Sequence, residues 1–495
     1  MTSVKAGLVA LLLAGLGVRL ALALAHGAYG GDPLFSYQYR ATLIAAGQWD
    51  GLLLMWHPPG YPLLLAAVMT LSGKLLSSFA AGVLLSLAST AALVWLVDRL
   101  IRHRLERQEF RLVAAAIVLL NEGLIHWQSA PLSEPPYLVA IAGVLVLLDR
   151  ATLTARAAAA AGLLAGCATL LRFDGATVAA ALALLIWLRF GFRSALIFSA
   201  GFLAVTGWLL FNIDYLQHVY AAQRISMTVP GPLASRLPLG LYHALTAWLP
   251  TAMPLPYWCA AALGAWWLAG TREDRADGRR LNWLLASVLA AGVLTGAISV
   301  MHKRTAAFAV PIVALWCAAA ADALASRLRR RHVVLAGFIA VIAVDGLRLA
   351  AAWPEARVPG PSQAQARLLR DAGAAPARVF AFGSEPEIYA TLAWPVVTPF
   401  FAWKSEVSPL YESHRGDPAG FIRALASAGY EWLALASPDG SQPVARQPYG
   451  YYIADPLTSD LAALDARPAD FGLEAAGRAA ASAPAHEVRL YRIRR

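Results

Sequence analysis

The chain has 495 residues, 59% of them hydrophobic and only 14% charged, and its mean hydropathy is +0.55. Soluble domains carry about a quarter charged residues, so this composition excludes a soluble globular protein and points to a polytopic membrane protein. The net charge of +11 (41 basic against 30 acidic residues) does not signal nucleic-acid binding, because the arginines sit in short clusters between apolar spans, which is the positive-inside pattern.

Placing spans of roughly 17–25 apolar residues predicts about eleven transmembrane helices. Residues 6–25 form the first, read as a retained span rather than a cleaved signal because Arg19 interrupts the late apolar run. An arginine at that depth is costly unless it is paired. The loop 26–74 follows, with short helical candidates at 37–47 and 61–71. Residues 75–97 return to the cluster Arg99, Arg102, Arg104, Arg107 and Arg111. Residues 112–125 lead out, and 135–148 lead back to Arg150 and Arg156. Residues 157–171 go out, 176–188 return to Arg189 and Arg193, and 196–211 go out again.

A second polar loop, 212–239, precedes a span at 241–269 and the solvated stretch 271–280. Residues 281–300 go out, 305–324 return to Arg327, Arg329, Arg330 and Arg331, and 333–352 exit for the last time. Every dense arginine cluster then falls on one side, the cytosolic one. From Trp353 the composition shifts to Pro, Gly, Ser and charge, which marks a domain boundary. The expected domains are therefore a transmembrane domain, 1–352, with the outer loop 26–74, and an extracytoplasmic α/β domain, 353–495. In the latter, helices are expected at 362–371, 385–392 and 417–428, and strands at 379–382, 430–436 and 488–493. Cys167, Cys259 and Cys317 lie in apolar stretches and read as packing residues.

The loop 26–74 is the functional centre of this reading. Between Gly30 and Pro62 it carries Asp32, Arg40, Asp50, His57 and a Pro58-Pro59-Gly60 turn, with Tyr37, Tyr39, Trp49 and Trp56 between them. Loops of such length are functional or disordered, and this aromatic content argues against disorder. Asp32 is the candidate reactive group.

The remaining ionisable residues outside the arginine clusters also gather at the outer ends of spans. They are Glu122, His126, Glu134, Arg172, Asp174, Asp214, Arg224, Arg236 and the run His302-Lys303-Arg304. Cations on an outer face call for an anionic partner, and guanidinium and ammonium groups both bind phosphate. Simpler readings stand beside this one: Arg172 and Asp174 satisfying each other, Glu122 pairing with His126 one turn on, and His302-Lys303-Arg304 anchoring to headgroups.

Several of these residues carry a family resemblance. Asp32, Tyr37, Arg40-Ala41, Gly47 and His57-Pro58-Pro59-Gly60-Tyr61-Pro62, followed in order by Ser133-Glu134-Pro135, Leu171-Arg172-Phe173-Asp174-Gly175 and Lys303-Arg304 with Pro311 beyond, resemble the bacterial members of the protein O-mannosyltransferase and aminoarabinose transferase superfamily. The C-terminal stretches FAFGSEPEIYATLAWPVV and FIRALASAGYEWLALAS resemble that superfamily's extracytoplasmic tail. The resemblance implies a GT-C fold and inverting sugar transfer from a polyprenyl-phosphate-linked donor at the non-cytosolic face of the bacterial inner membrane.

It further implies Asp32 as general base on the acceptor, with Arg40, His57, Tyr61, Glu134, Arg172, Asp174, His302, Lys303 and Arg304 around the donor phosphate and substrate. Pro33 stands where the mannosyltransferases commonly carry a second acid, which weakens the case for a protein acceptor and leaves a glycan, a membrane lipid or a protein open. A divalent metal is compatible with these residues but not required by them. The competing reading is a transporter or flippase for a lipid-linked sugar, which calls for charges near the bilayer midplane and repeat symmetry. Here the charges lie at span ends and no repeat is evident.

Overall fold

The computed structural model describes residues 2–26, 37–53, 57–73, 75–213, 215–216, 233–270, 276–298, 306–352, 367–374, 378–382, 413–414, 416–438, 463–464, 466–481 and 486–494. The chain divides into two compact units. The first comprises Met1–Leu22, His57–Tyr61 and Val83–Ala352; the second comprises Ala23–Trp56, Pro62–Gly82 and Trp353–Arg495.

The first unit is a helical bundle. Its helices are α1 (Thr2–His26), α4 (Ser78–Ile101), α5 (Arg111–Leu120), α6 (Glu122–Gln128), α7 (Glu134–Leu148), α8 (Ala155–Leu171), α9 (Asp174–Phe190) and α10 (Phe192–Thr206). After these come α11 (Leu233–His243), α12 (Leu255–Ala269), α13 (Ala276–Ile298), α14 (Ala309–Leu328) and α15 (Arg331–Ala352). Among the described residues, five segments are long and apolar enough to cross a membrane: Val4–Leu24, Ser78–Ile101, Phe192–Phe211, Ala276–Ala297 and Ala309–Leu328. Shorter apolar helices, including Glu134–Leu148 and Ala155–Leu171, accompany them. The expected figure of about eleven spans is therefore not fixed by helix length among the described residues. Helix α14 forms the centre of the bundle, its apolar window 89% buried. Its run of alanines from Ala318 to Ala321 is wholly buried, and such small side chains permit close helix approach.

Two predicted spans are corrected. Residues 112–125 do not form one helix, because Asn121 turns to an extended conformation and its side chain accepts from the Leu124 N–H at 3.0 Å, ending α5 and capping α6. The break leaves the last carbonyls of α5 without helical partners. Arg19 answers them: fully buried on α1, it donates to the Leu119 carbonyl at 2.7 Å, the Val118 carbonyl at 3.2 Å and Gln128 Oε1 at 2.8 Å. A cation at a helix C-terminus also opposes the dipole's negative end favourably, which accounts for an arginine in an apolar span. Residues 241–269 are likewise interrupted: a π-helical turn at Ala244–Trp248 and a short helix at Leu249–Ala252 lead to a break before α12 at Pro254, which lacks the N–H a continuous helix needs. Of the cysteines, only Cys317 is buried, while Cys167 and Cys259 lie on helix surfaces.

The second unit contains α2 (Tyr39–Ala45), most of α3 (Gly60–Leu71), and the C-terminal sheet. The strands β1 (Val379–Phe382), β2 (Trp432–Pro438), β3 (Leu473–Ala481) and β4 (His486–Ile493) are ordered β1-β2-β4-β3. β1 pairs parallel with β2, and the other pairs are antiparallel. Alternation along β2 sends Leu433 into a cluster with Phe421, Leu425 and Tyr491, and Ala434 into one with Leu369, Val379 and Leu490. Helix α16 (Pro418–Ser427), capped by Asp417 accepting from the Gly420 N–H at 2.8 Å, supplies Phe421 and Leu425. The expected strands at 379–382, 430–436 and 488–493 and the helix at 417–428 are present. β3 was not expected, and the helix expected at 385–392 lies outside the described residues.

Candidate active site

The site is built at the beginning of α7 and the α8–α9 turn. Ser133-Glu134-Pro135-Pro136 opens α7 with prolines in its first turn, where no N–H is missed, and with Glu134 at the helix's positive end. Helix α8 ends at Leu171, and Arg172 adopts an extended conformation (φ −152°, ψ 130°) before α9 starts at Asp174. The return is so tight that a Cβ on Gly175 would lie 2.7 Å from the Thr169 nitrogen, so only glycine fits there.

Arg172 is the hub. Its Nη1 donates to Glu134 Oε1 at 2.5 Å, and its Nη2 and Nε donate to Asp174 Oδ2 at 2.8 and 3.1 Å. The Tyr137 ring, one turn beyond Glu134 on α7, lies 5.9 Å from the guanidinium carbon. The Glu134 side chain is only 4% exposed and that of Arg172 12%, so the ion pair is poorly screened and its removal costly. Two carboxylates against one guanidinium leave this trio with a formal charge of −1.

The His57–Tyr61 turn packs onto the same place. A Cβ on Gly60 would lie 2.6 Å from the Leu170 carbonyl oxygen, two residues before Arg172, so the turn approaches the end of α8 only because residue 60 is glycine. The Tyr215 hydroxyl donates to the His57 carbonyl at 2.9 Å, and its ring stands 6.3 Å from that of Phe173, between Arg172 and Asp174. His57 and Tyr61 are both buried.

Of the residues singled out from the sequence, the structure thus brings together Glu134, Arg172 and Asp174, with the His57–Tyr61 turn against them. Arg40 belongs to the second unit, where it is fully buried and donates to the Leu52 carbonyl. Asp32, His302, Lys303 and Arg304 lie outside the described residues, as do the side chains of Asp50, His126, Asp214, Arg224 and Arg236. Sequence reasoning missed Tyr137 and Tyr215. Tyr137 was within reach, three residues past Glu134 and so on one helix face; Tyr215 carried no local signal. Beneath the site, between α4, α7, α13 and α14, runs an apolar cavity lined by Tyr137, Ile141, Leu145, Val97, Leu100, Leu315 and neighbours. Among the described residues no three His, Cys, Asp or Glu side chains converge as a metal cage.

This architecture is the GT-C fold of polytopic membrane proteins. The chain superposes on the crystal structure of ArnT from Cupriavidus metallidurans in the apo state with a TM-score of 0.62 and 13% identity, over 98% of each chain. On ArnT from the same organism bound to undecaprenyl phosphate the score is 0.51 at 14% identity, over 97% of each. On the Archaeoglobus fulgidus oligosaccharyltransferase in complex with Zn and sulfate it is 0.52 at 13% identity, over 86% of this chain and 67% of the other. No protein-family profile and no curated sequence matches the chain.

Proposed function

We propose that this chain is an integral-membrane inverting glycosyltransferase that moves a sugar from a polyprenyl-phosphate donor to an acceptor hydroxyl on a cell-envelope lipid, glycan or protein, on the non-cytosolic side of the bacterial inner membrane. The observation that carries it is the convergence of Glu134, Arg172 and Asp174 with the His57–Tyr61 turn at one end of the bundle. The fold supports the reading, as does the bound lipid phosphate in one of the ArnT structures.

In this mechanism the acceptor oxygen attacks the anomeric carbon from the face opposite the phosphate. Its proton passes to the Asp32 carboxylate, because a hydroxyl with a pKa far above 7 needs a base at hydrogen-bonding distance. The anomeric carbon–oxygen bond breaks, and its electron pair stays on the lipid phosphate, which leaves without a proton when cations neutralise the developing charge. The trio around Arg172 is formally negative and so does not by itself attract a phosphate. Lys303 and Arg304, assisted by His302, supply that charge. Arg172 orients the carboxylates of Glu134 and Asp174 as acceptors for sugar hydroxyls and reaches the phosphate by exchanging one of them. No step calls for a metal.

Mass spectrometry of envelope lipids and glycans tests the reading, comparing cells that carry the chain, lack it, or carry Asp32→Asn. The expected result is a sugar modification that disappears in both altered strains while the Asn protein still accumulates in the membrane. A modification undiminished by Asp32→Asn would remove Asp32 as the base.

A further inference from the structure

We infer that Tyr215 is a positioning residue that fixes the His57–Tyr61 turn over the α8–α9 turn and, through His57, tunes donor-phosphate binding. The donor half of this inference rests on the function proposed above. One side chain, 6% exposed, touches both turns: its hydroxyl donates to the His57 carbonyl at 2.9 Å and its ring stands beside that of Phe173.

The need for such a tie follows from the turn's composition. Pro58 and Pro59 have no N–H, so these two successive residues offer the surroundings only carbonyls, and a donor from outside the turn suits this segment. The contact of Gly60 with the Leu170 carbonyl fixes the far end of the turn. The Tyr215 hydroxyl fixes the near end, at the residue whose imidazole is the candidate phosphate contact. Phe173, flanked by Arg172 and Asp174, gives the tyrosine ring its seat, so movement of either motif is transmitted to the other. Tyr215 follows Asp214 in the second polar loop, a region the sequence marks by its charges and not by its tyrosine.

The decisive variant is Tyr215→Phe, which keeps the ring and removes one hydrogen bond. The purified full-length chain in nanodiscs is tested for undecaprenyl phosphate binding and for hydrogen exchange at the His57, Gly60 and Tyr61 amides. Loss of one net hydrogen bond corresponds to about a three- to tenfold weaker affinity. The expected pattern is that weakening, faster exchange confined to the turn, and an effect below about twofold when Tyr215→Phe is added to His57→Ala, because coupled residues are not additive. Unchanged exchange at the turn overturns the positioning role. Weakening that is fully additive with His57→Ala overturns its action through His57. Should the unaltered chain fail to bind undecaprenyl phosphate, the donor reading falls, and the exchange measurement still decides the positioning role.

Discussion

The two ends of α7 carry ionic clusters of different stoichiometry. At its beginning, Glu134 and Asp174 share Arg172, and the formal sum is −1. Just past its last turn, about 22 Å away at 1.5 Å per residue, Asp149 accepts two bonds from Arg104 at 2.7 and 2.6 Å and lies 3.4 Å from Arg280. Arg280 also pairs with Asp277, and Arg104 donates to the Asp277 carbonyl at 3.1 Å. Two aspartates against two arginines sum to zero. Close by in sequence, Arg111 pairs with Asp98 at 2.5 and 2.6 Å, and the buried Asp322 accepts from the backbone N–H groups of Glu106 at 2.8 Å and Arg107 at 3.2 Å. The balanced end ties the α4–α5 loop to α7, α13 and α14. The other end sets two carboxylates on a single arginine and is seated against the His57–Tyr61 turn.

That contrast is sharpened most by Glu134→Gln. Removing one carboxylate leaves Arg172 paired with Asp174, and the expected consequence is a loss of transfer on the order of a hundredfold, comparable to deleting one preorganised polar group from an active site. Melting in detergent is expected to fall less than in an Asp149 variant, since Asp174 still pairs with Arg172 and the amide can still accept from it. Unimpaired transfer in this variant would break the contrast outright. Asp149→Asn is expected to do the reverse. It strips the shared partner from Arg104 and Arg280, at a cost of about 3 kcal/mol of stability, visible as a lower melting temperature, while transfer per folded molecule is retained. A large fall in turnover without destabilisation would mean that the neutral end also takes part in function.

Much of the site was legible because its chemistry sits in short motifs. Arg172 and Asp174 are two residues apart, and Glu134 announces itself by opening a proline-capped helix. What was not legible depended on distance along the chain. The Arg172–Glu134 bond spans 38 positions and Arg19 meets Leu119 across 100; no local pattern encodes either. The inner arginines were read as topology signals, and nothing in their spacing disclosed that Asp98, Asp149 and Asp322 hold them. Asn121 is a strong helix cap, but the apolar run around it masks that local preference. The prolines at 250, 254 and 256 were visible breakers that the hydropathy of 241–269 concealed. β3, LEAAGRAAA, has little intrinsic strand preference; its pairing with β4 makes it a strand.

The most direct test of the central claim is a cryo-EM structure of the full-length chain in nanodiscs with undecaprenyl phosphate. The account predicts phosphate density at the Arg172 end of α7, within hydrogen-bonding reach of Lys303 or Arg304, with the isoprenoid tail descending past Tyr137. Phosphate density at the Asp149 end, among Arg104 and Arg280, would contradict it.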